Sequence, residues 1–81
     1  MKVPRDLSGT ELARALRRFG YEVVRQTGSH IRLTRRHAGE DQHITIPGHK
    51  SLKIGTLNNI LSDIALQVGM AKDELVEKLF S

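Results

Sequence analysis

The sequence predicts an α+β domain in the order α-β-β-β-α, with a short extra C-terminal helix and a three-stranded antiparallel sheet carrying its helices on one face. Two amphipathic helical patterns flank a central segment in which apolar and polar residues alternate, and glycines mark the borders. The first helix starts at Ser8-Gly9-Thr10-Glu11, where Ser8 fits as N-cap and Glu11 as its reciprocal partner. Leu12, Ala15, Leu16 and Phe19 follow at helical spacing, and Gly20 stops the helix. Arg14, Arg17 and Arg18 fall on the opposite face, where the solvated charges of an amphipathic helix are the favoured reading and attraction of a polyanion or an acidic partner surface is the alternative.

Tyr21 to Gln26, His30 to Arg35 and Gln42 to Ile46 read as strands. Thr27-Gly28-Ser29 joins the first two, with Gly28 free to take the positive φ of a tight hairpin. A basic linker, Arg35-Arg36-His37, and the polar Ala38-Gly39-Glu40-Asp41 lead to the third. If Ile31 and Leu33 face the core, then His30, Arg32 and Thr34 face water. Ile44 and Ile46 alternate with His43 and Thr45 in the same way, and Pro47-Gly48 ends that strand. After the basic loop His49-Lys50-Ser51-Leu52-Lys53, a helix opening near Gly55-Thr56 carries Leu57, Ile60, Leu61, Ile64 and Val68 on one face. Gly69 breaks it, and Ala71 to Phe80 forms the last helix, with Leu75, Val76, Leu79 and Phe80 as its apolar stripe. Two helices over one sheet face leave the other bare, and that bare face carries His30 and Arg32.

Residues 1–81 make one domain, and a chain this short buries only roughly 60% of the surface it exposes when unfolded. A deep pocket for a small metabolite is therefore not expected, and the partner should be large and met on an outer face. Thirteen Lys and Arg against nine Asp and Glu give a net charge of +4, which favours a polyanion. The absence of cysteine excludes a disulfide framework, a thiolate zinc site and a thiol nucleophile. His30, His37, His43 and His49 match no zinc-ligand spacing, so neither metal nor cofactor is expected. The N-terminus lacks an apolar core of signal-peptide length, and no run approaches the ~20 apolar residues of a membrane span. A cytoplasmic location without membrane association is the expectation.

Arg25-Gln26-Thr27-Gly28-Ser29-His30-Ile31-Arg32-Leu33 sets one imidazole just past a glycine turn among cations. RNA is cut without a metal when a base takes the proton of a ribose 2′-hydroxyl, the oxygen attacks the adjacent phosphate, and an acid protonates the leaving 5′-oxygen. Imidazole suits either task, because it exchanges protons near neutral pH. With a Thr27-Gly28 loop Arg25 lies opposite His30; with Ser29 added to the loop, Gln26 does. Arg25 would stabilise the pentacoordinate phosphate, whereas Gln26 would orient the ring. Ser29 is a turn-former whose hydroxyl can contact phosphate. Lys50, Lys53 and Thr56 stand before or at a helix N-terminus, where free N–H groups and the dipole favour an anion; phosphate binding is the reading, with ordinary N-capping by Thr56 beside solvated lysines as the alternative. His43 is the expected complementary acid, reaching towards His30 across the sheet ladder, while His37 and His49 read as loop histidines. Phe19, Tyr21 and Phe80 all lie on or near apolar faces, which leaves no aromatic platform for base stacking.

The stretch Val24-Arg25-Gln26-Thr27-Gly28-Ser29-His30, the later Ile44-Thr45-Ile46-Pro47, and Lys53-Ile54-Gly55-Thr56-Leu57 at the head of a helix resemble the HicA family, small toxins of bacterial and archaeal toxin–antitoxin pairs. The resemblance runs from the first helix to the end of the helix after Gly55. It implies a double-stranded-RNA-binding-like fold, ribosome-independent endoribonuclease cleavage of mRNA, and neutralisation by a HicB-type antitoxin. It also implies a catalytic histidine in the Gly-Ser-His segment, which here is His30. Arg25, Gln26, Gly28, Ser29, Arg32, Lys50, Lys53 and Thr56 are the accompanying candidates for holding RNA. The chain departs from the shortest members at Ala71 to Ser81 and at Arg35-Arg36-His37, outside the motif. Two other functions fit the same residues: a double-stranded-RNA-binding module without cleavage, and a protein-interaction adaptor using Leu75, Val76, Leu79 and Phe80.

Overall fold

The computed structural model describes residues 3–80, in the expected element order. Helix α1 (Gly9–Ala15) runs into a 3₁₀ turn (Leu16–Phe19), followed by strands β1 (Glu22–Thr27), β2 (His30–His37) and β3 (Glu40–Pro47) and by helices α2 (Ile54–Val68) and α3 (Lys72–Phe80). The Ser8 hydroxyl accepts from the Glu11 amide at 3.0 Å, and the Glu11 carboxylate accepts from the Ser8 amide at 3.0 Å. Hydrogen bonds from the Ser8 amide and hydroxyl hold the Glu11 carboxyl below its ordinary value. The cap's contribution is therefore complete above the usual carboxylate value and is lost as pH falls through the lowered one. At the other end Gly20 takes φ 89°, the Gly20 amide donates to Arg17 O, and the Tyr21 amide donates to Leu16 O. This is a Schellman stop, and Tyr21 and Leu16, the pair whose contact accompanies it, are both fully buried. The last helical turn tightens to 3₁₀ where a uniform α-helix was expected, a common way to satisfy terminal carbonyls.

The sheet is antiparallel with β2 in the centre, and both its hairpins have two-residue turns. Ile31, Leu33, Ile44 and Ile46 point to one side and meet Leu12 and Leu16 of the first helical segment and Leu57, Leu61 and Ile64 of α2. Leu75, Val76 and Leu79 of α3 belong to the same core, with Phe80 packed against it. The C-terminal stripe is thus inside the domain, and the adaptor reading loses its surface. No helix among the described residues is long and apolar enough to cross a membrane.

The second hairpin is longer than expected. Arg35-Arg36-His37 is not a linker but the end of β2, paired with Gln42, Asp41 and Glu40, and the loop shrinks to Ala38-Gly39. Both turn residues have positive φ, 53° and 80°, as a type I′ turn requires. Alanine is a costly occupant of that conformation, which is why the sequence conceals the turn.

Arg35 has a structural task. Its Nε donates to Phe19 O at 2.8 Å, and its Nη1 donates to Gln42 Oε1 and to Gln67 O. Gln42 Nε2 also donates to Gln67 O, Gln67 Nε2 donates to His43 O, and the Tyr21 hydroxyl donates to Gln67 Oε1. One half-buried cation thereby ties the end of the first helix, two strands and the last turn of α2. Burial pushes the Tyr21 phenol up, although Arg35 opposes this, so the hydroxyl stays a donor. Arg35→Ala is expected to destabilise the domain by about 2 kcal/mol, since hydrogen bonds to charged groups contribute ~1.5–3 kcal/mol each and solvent replaces part of them. Scanning calorimetry should show a melting temperature lower by roughly 8–16 °C.

Candidate nucleic-acid interface

The turn that presents His30 is Gly28-Ser29, one residue later than the first of the two expected loops. Gly28 has φ 53° and Ser29 does not have positive φ, the pattern of a type II′ turn with glycine first. Thr27 therefore belongs to β1 and lies opposite His30, while Arg25 pairs with Arg32 and Gln26 with Ile31. Neither Arg25 nor Gln26 is the direct cross-strand neighbour of His30. Gln26 shares the helix-side face with Ile31 and lines a cleft there, so it cannot orient the imidazole. A bulge between Val23 and Arg25 lets β1 follow both registers, with Glu22 opposite Thr34.

On the bare face, His30 has Thr27 on one side and Pro47 on the other. The next row is Arg25-Arg32-Thr45, about 7 Å along the strands. All of these but the half-buried Pro47 are exposed, and among the described residues the side chains of His30, Arg25 and Arg32 make no hydrogen bond or ion pair. Like charges directly opposite one another destabilise a sheet, and among the described residues no carboxylate pairs with these two. By contrast, Arg36 lower on the same face is paired with Asp41 at 3.5 Å. His43 is not beside His30: it lies opposite Thr34, four residues along β2 or about 13 Å away, and its Nδ1 is 3.0 Å from the Thr34 hydroxyl.

A second basic segment meets this end of the sheet. The Gly48 amide donates to Ser29 O, fastening the loop after β3 to the hairpin turn. His49 O accepts from the Gly9 amide at 3.0 Å, and the Leu52 amide donates to Leu7 O at 2.8 Å, so the loop is also fastened to the start of α1. His49, Lys50 and Lys53 are exposed along it. Helix α2 begins at Ile54 with Lys53 as N-cap, one or two residues before the expected start near Gly55-Thr56, and no side chain among the described residues caps it. Thr56 is consequently a half-buried first-turn residue and not the N-cap. Ser29, His30, Lys50 and Lys53 thus gather at one end of the molecule. His49, which the sequence reads as a loop histidine, joins them directly after the residue bonded to Ser29. Its signal was its place right behind Pro47-Gly48, but only the strand register connects that place with His30.

Two imidazoles, two unpaired guanidiniums and two ammonium groups around one end can hold a polyanion and exchange protons with it. The chain matches the family model described as HicA toxin of bacterial toxin–antitoxin over residues 9–66. No curated protein and no solved structure matches it. The matched span begins with the first residue of α1 and ends inside α2, so it contains the whole sheet and leaves α3 outside.

Proposed function

This chain belongs to the HicA toxin family of bacterial toxin–antitoxin systems, and on that premise we propose that it arrests translation by cutting mRNA in the cytoplasm, with His30 as a catalytic residue. The observation that carries this reading is the exposed His30 next to the unrelieved Arg25–Arg32 pair. A phosphate seated between the guanidiniums removes their mutual repulsion and brings the adjacent ribose to the imidazole. One group takes the 2′-hydroxyl proton, the 2′-oxygen bonds to phosphorus, and the bond to the 5′-oxygen breaks as that oxygen receives a proton. The products are a 2′,3′-cyclic phosphate and a 5′-hydroxyl. His30 performs one of the two transfers, and His49 is the imidazole at this end suited to the other. Arg25 and Arg32 stabilise the charge that develops on the phosphorane.

Lys50 and Lys53, with the uncapped first turn of α2, hold backbone phosphates further along the RNA, as the equivalent element of a double-stranded-RNA-binding-like fold does. Gly28 and Ser29 bring the turn close to the strand, while Thr56 supports the helix start. A HicB-type antitoxin is the protein partner. Purified protein incubated with RNA in EDTA should release fragments with cyclic phosphate ends. Binding without cleavage, with or without added divalent cations, would instead favour the non-catalytic RNA-binding module, which uses the same cations.

Lys50→Ala with Lys53→Ala is expected to weaken binding to every RNA sequence and to lower the slope of log affinity against log salt by about 1.4, or ~0.7 per lost phosphate contact on a single strand. Fluorescence anisotropy at several salt concentrations reads this slope. An unchanged slope places the RNA away from this loop.

A further inference from the structure

We propose that the antitoxin docks in the cleft between α1 and the edge strand β1, through a segment that bears carboxylates beside small apolar side chains. This rests on the antitoxin partner of the preceding reading and not on RNA cleavage. The cleft encloses about 430 Å³, with Ala13, Val23 and Ile31 as its apolar walls and Arg14 and Arg17 along its helical side. It opens on the helix-side face of the sheet, opposite the face that carries His30.

The arginines of this region divide into two groups. Arg18 donates to Lys78 O at 2.9 Å, and Arg35 is engaged in the network at the end of α2. Arg14 and Arg17, both exposed, make no hydrogen bond or ion pair among the described residues. Arg14 lies near enough to Glu11 to help hold its carboxyl below the ordinary value, but both guanidinium forks are free of hydrogen bonds and fit carboxylates in a bidentate manner. All six residues of β1 are exposed, including Val23 at 49% and Val24 at 58%. Neighbouring apolar side chains left open beside unused arginines are the composition of a protein interface core and its rim.

Charge and shape favour an acidic protein segment over RNA. A phosphate backbone would leave Val23 and the apolar walls without a partner, and it would meet Glu22, which also lines the cleft. A peptide can place its carboxylates at Arg14 and Arg17 and an uncharged or basic residue beside Glu22. The bulge between Val23 and Arg25 interrupts the free edge of β1. Docking therefore proceeds by side chains entering the cleft and not by a strand added along β1.

The test is isothermal titration of the folded chain with its purified cognate antitoxin. Arg14→Glu with Arg17→Glu should raise the dissociation constant at least 100-fold, while RNA cleavage stays within threefold of wild type. Arg14→Ala with Arg17→Ala, which adds no repulsion to the helix, should raise it at least tenfold and covers the case in which the first variant does not fold. A dissociation constant within threefold of wild type in a folded variant overturns the proposal. So does a loss of RNA cleavage with antitoxin binding unchanged, which would make the cleft an RNA surface. A wild-type chain that cleaves no RNA defeats the preceding function but leaves this binding measurement as decisive as before.

Discussion

His30→Ala is expected to lower RNA cleavage by about 10²–10⁴-fold while the protein stays folded, because a positioned general acid or base contributes that range. The side chain is exposed at the first position of β2 and makes no hydrogen bond to a described residue, so truncating it removes little packing. Arg25, Arg32, Lys50 and Lys53 are untouched, and RNA affinity should therefore change by less than threefold. A single-turnover assay separates the rate from binding, and circular dichroism checks the fold. In cells, expression of the variant from a tightly controlled promoter should no longer arrest growth or accelerate mRNA decay. A folded variant as active and as toxic as wild type would make His30 a turn histidine and end the proposed mechanism in this form.

Gly9→Ala is expected to cost about 3 kcal/mol or more and to damage the same site from a distance. A Cβ built on Gly9 would stand 2.1 Å from Pro47 O, 3.0 Å from Pro47 C and 3.1 Å from Gly48 Cα. All three obstacles are backbone, so no side-chain rotation relieves the clash. Moving α1 away would break the 3.0 Å bond from the Gly9 amide to His49 O. Moving Pro47-Gly48 away would disturb the partner of His30 and the bond from Gly48 to Ser29. Overpacking in a core commonly costs ~1–3 kcal/mol, and a rigid backbone contact lies at or above the top of that range. A small domain has only ~5–15 kcal/mol in total. The melting temperature should fall by roughly 12 °C or more. Cleavage by the fraction still folded should fall with it, whereas a substitution on an exposed helical position would leave both unchanged. Full stability in Gly9→Ala would mean that α1 does not approach the end of β3 this closely.

Much of the architecture was legible because it is local. The reciprocal Ser8–Glu11 cap, the spacing of Leu12 and Leu16, and the stripe from Leu57 to Ile64 need only neighbours within a turn or two of helix, and all are present as read. The alternation of Ile31 and Leu33 with His30 and Arg32 decided which side of β2 meets water before any partner strand was known. The C-terminal stripe was visible too, but a stripe does not say whether it covers its own core or another protein. The burial of Leu75, Val76 and Leu79 was decided by the packing of α3.

What sequence alone determined about this protein is its α-β-β-β-α order, its exposed histidine at the head of β2 and its cationic surroundings. The tertiary structure decided which of these groups are neighbours. A turn displaced by one residue replaces Arg25 or Gln26 with Thr27 opposite His30 and sends Gln26 to the other face, because side chains alternate with a period of two. The register of the second hairpin sets His43 opposite Thr34, four residues along β2 from His30, and the bond between Gly48 and Ser29 fastens the segment before His49 to the turn that presents His30. Arg35 turns from a linker cation into the tie that holds Gln67 O, and Gly9 from a first-turn residue into a contact with a strand end nearly forty positions away. Periodicity and capping are short-range and can be read along the chain. Register and close approach arise only when segments distant in sequence compete for the same space, and at this end of the sheet that competition selects which side chains are neighbours of His30.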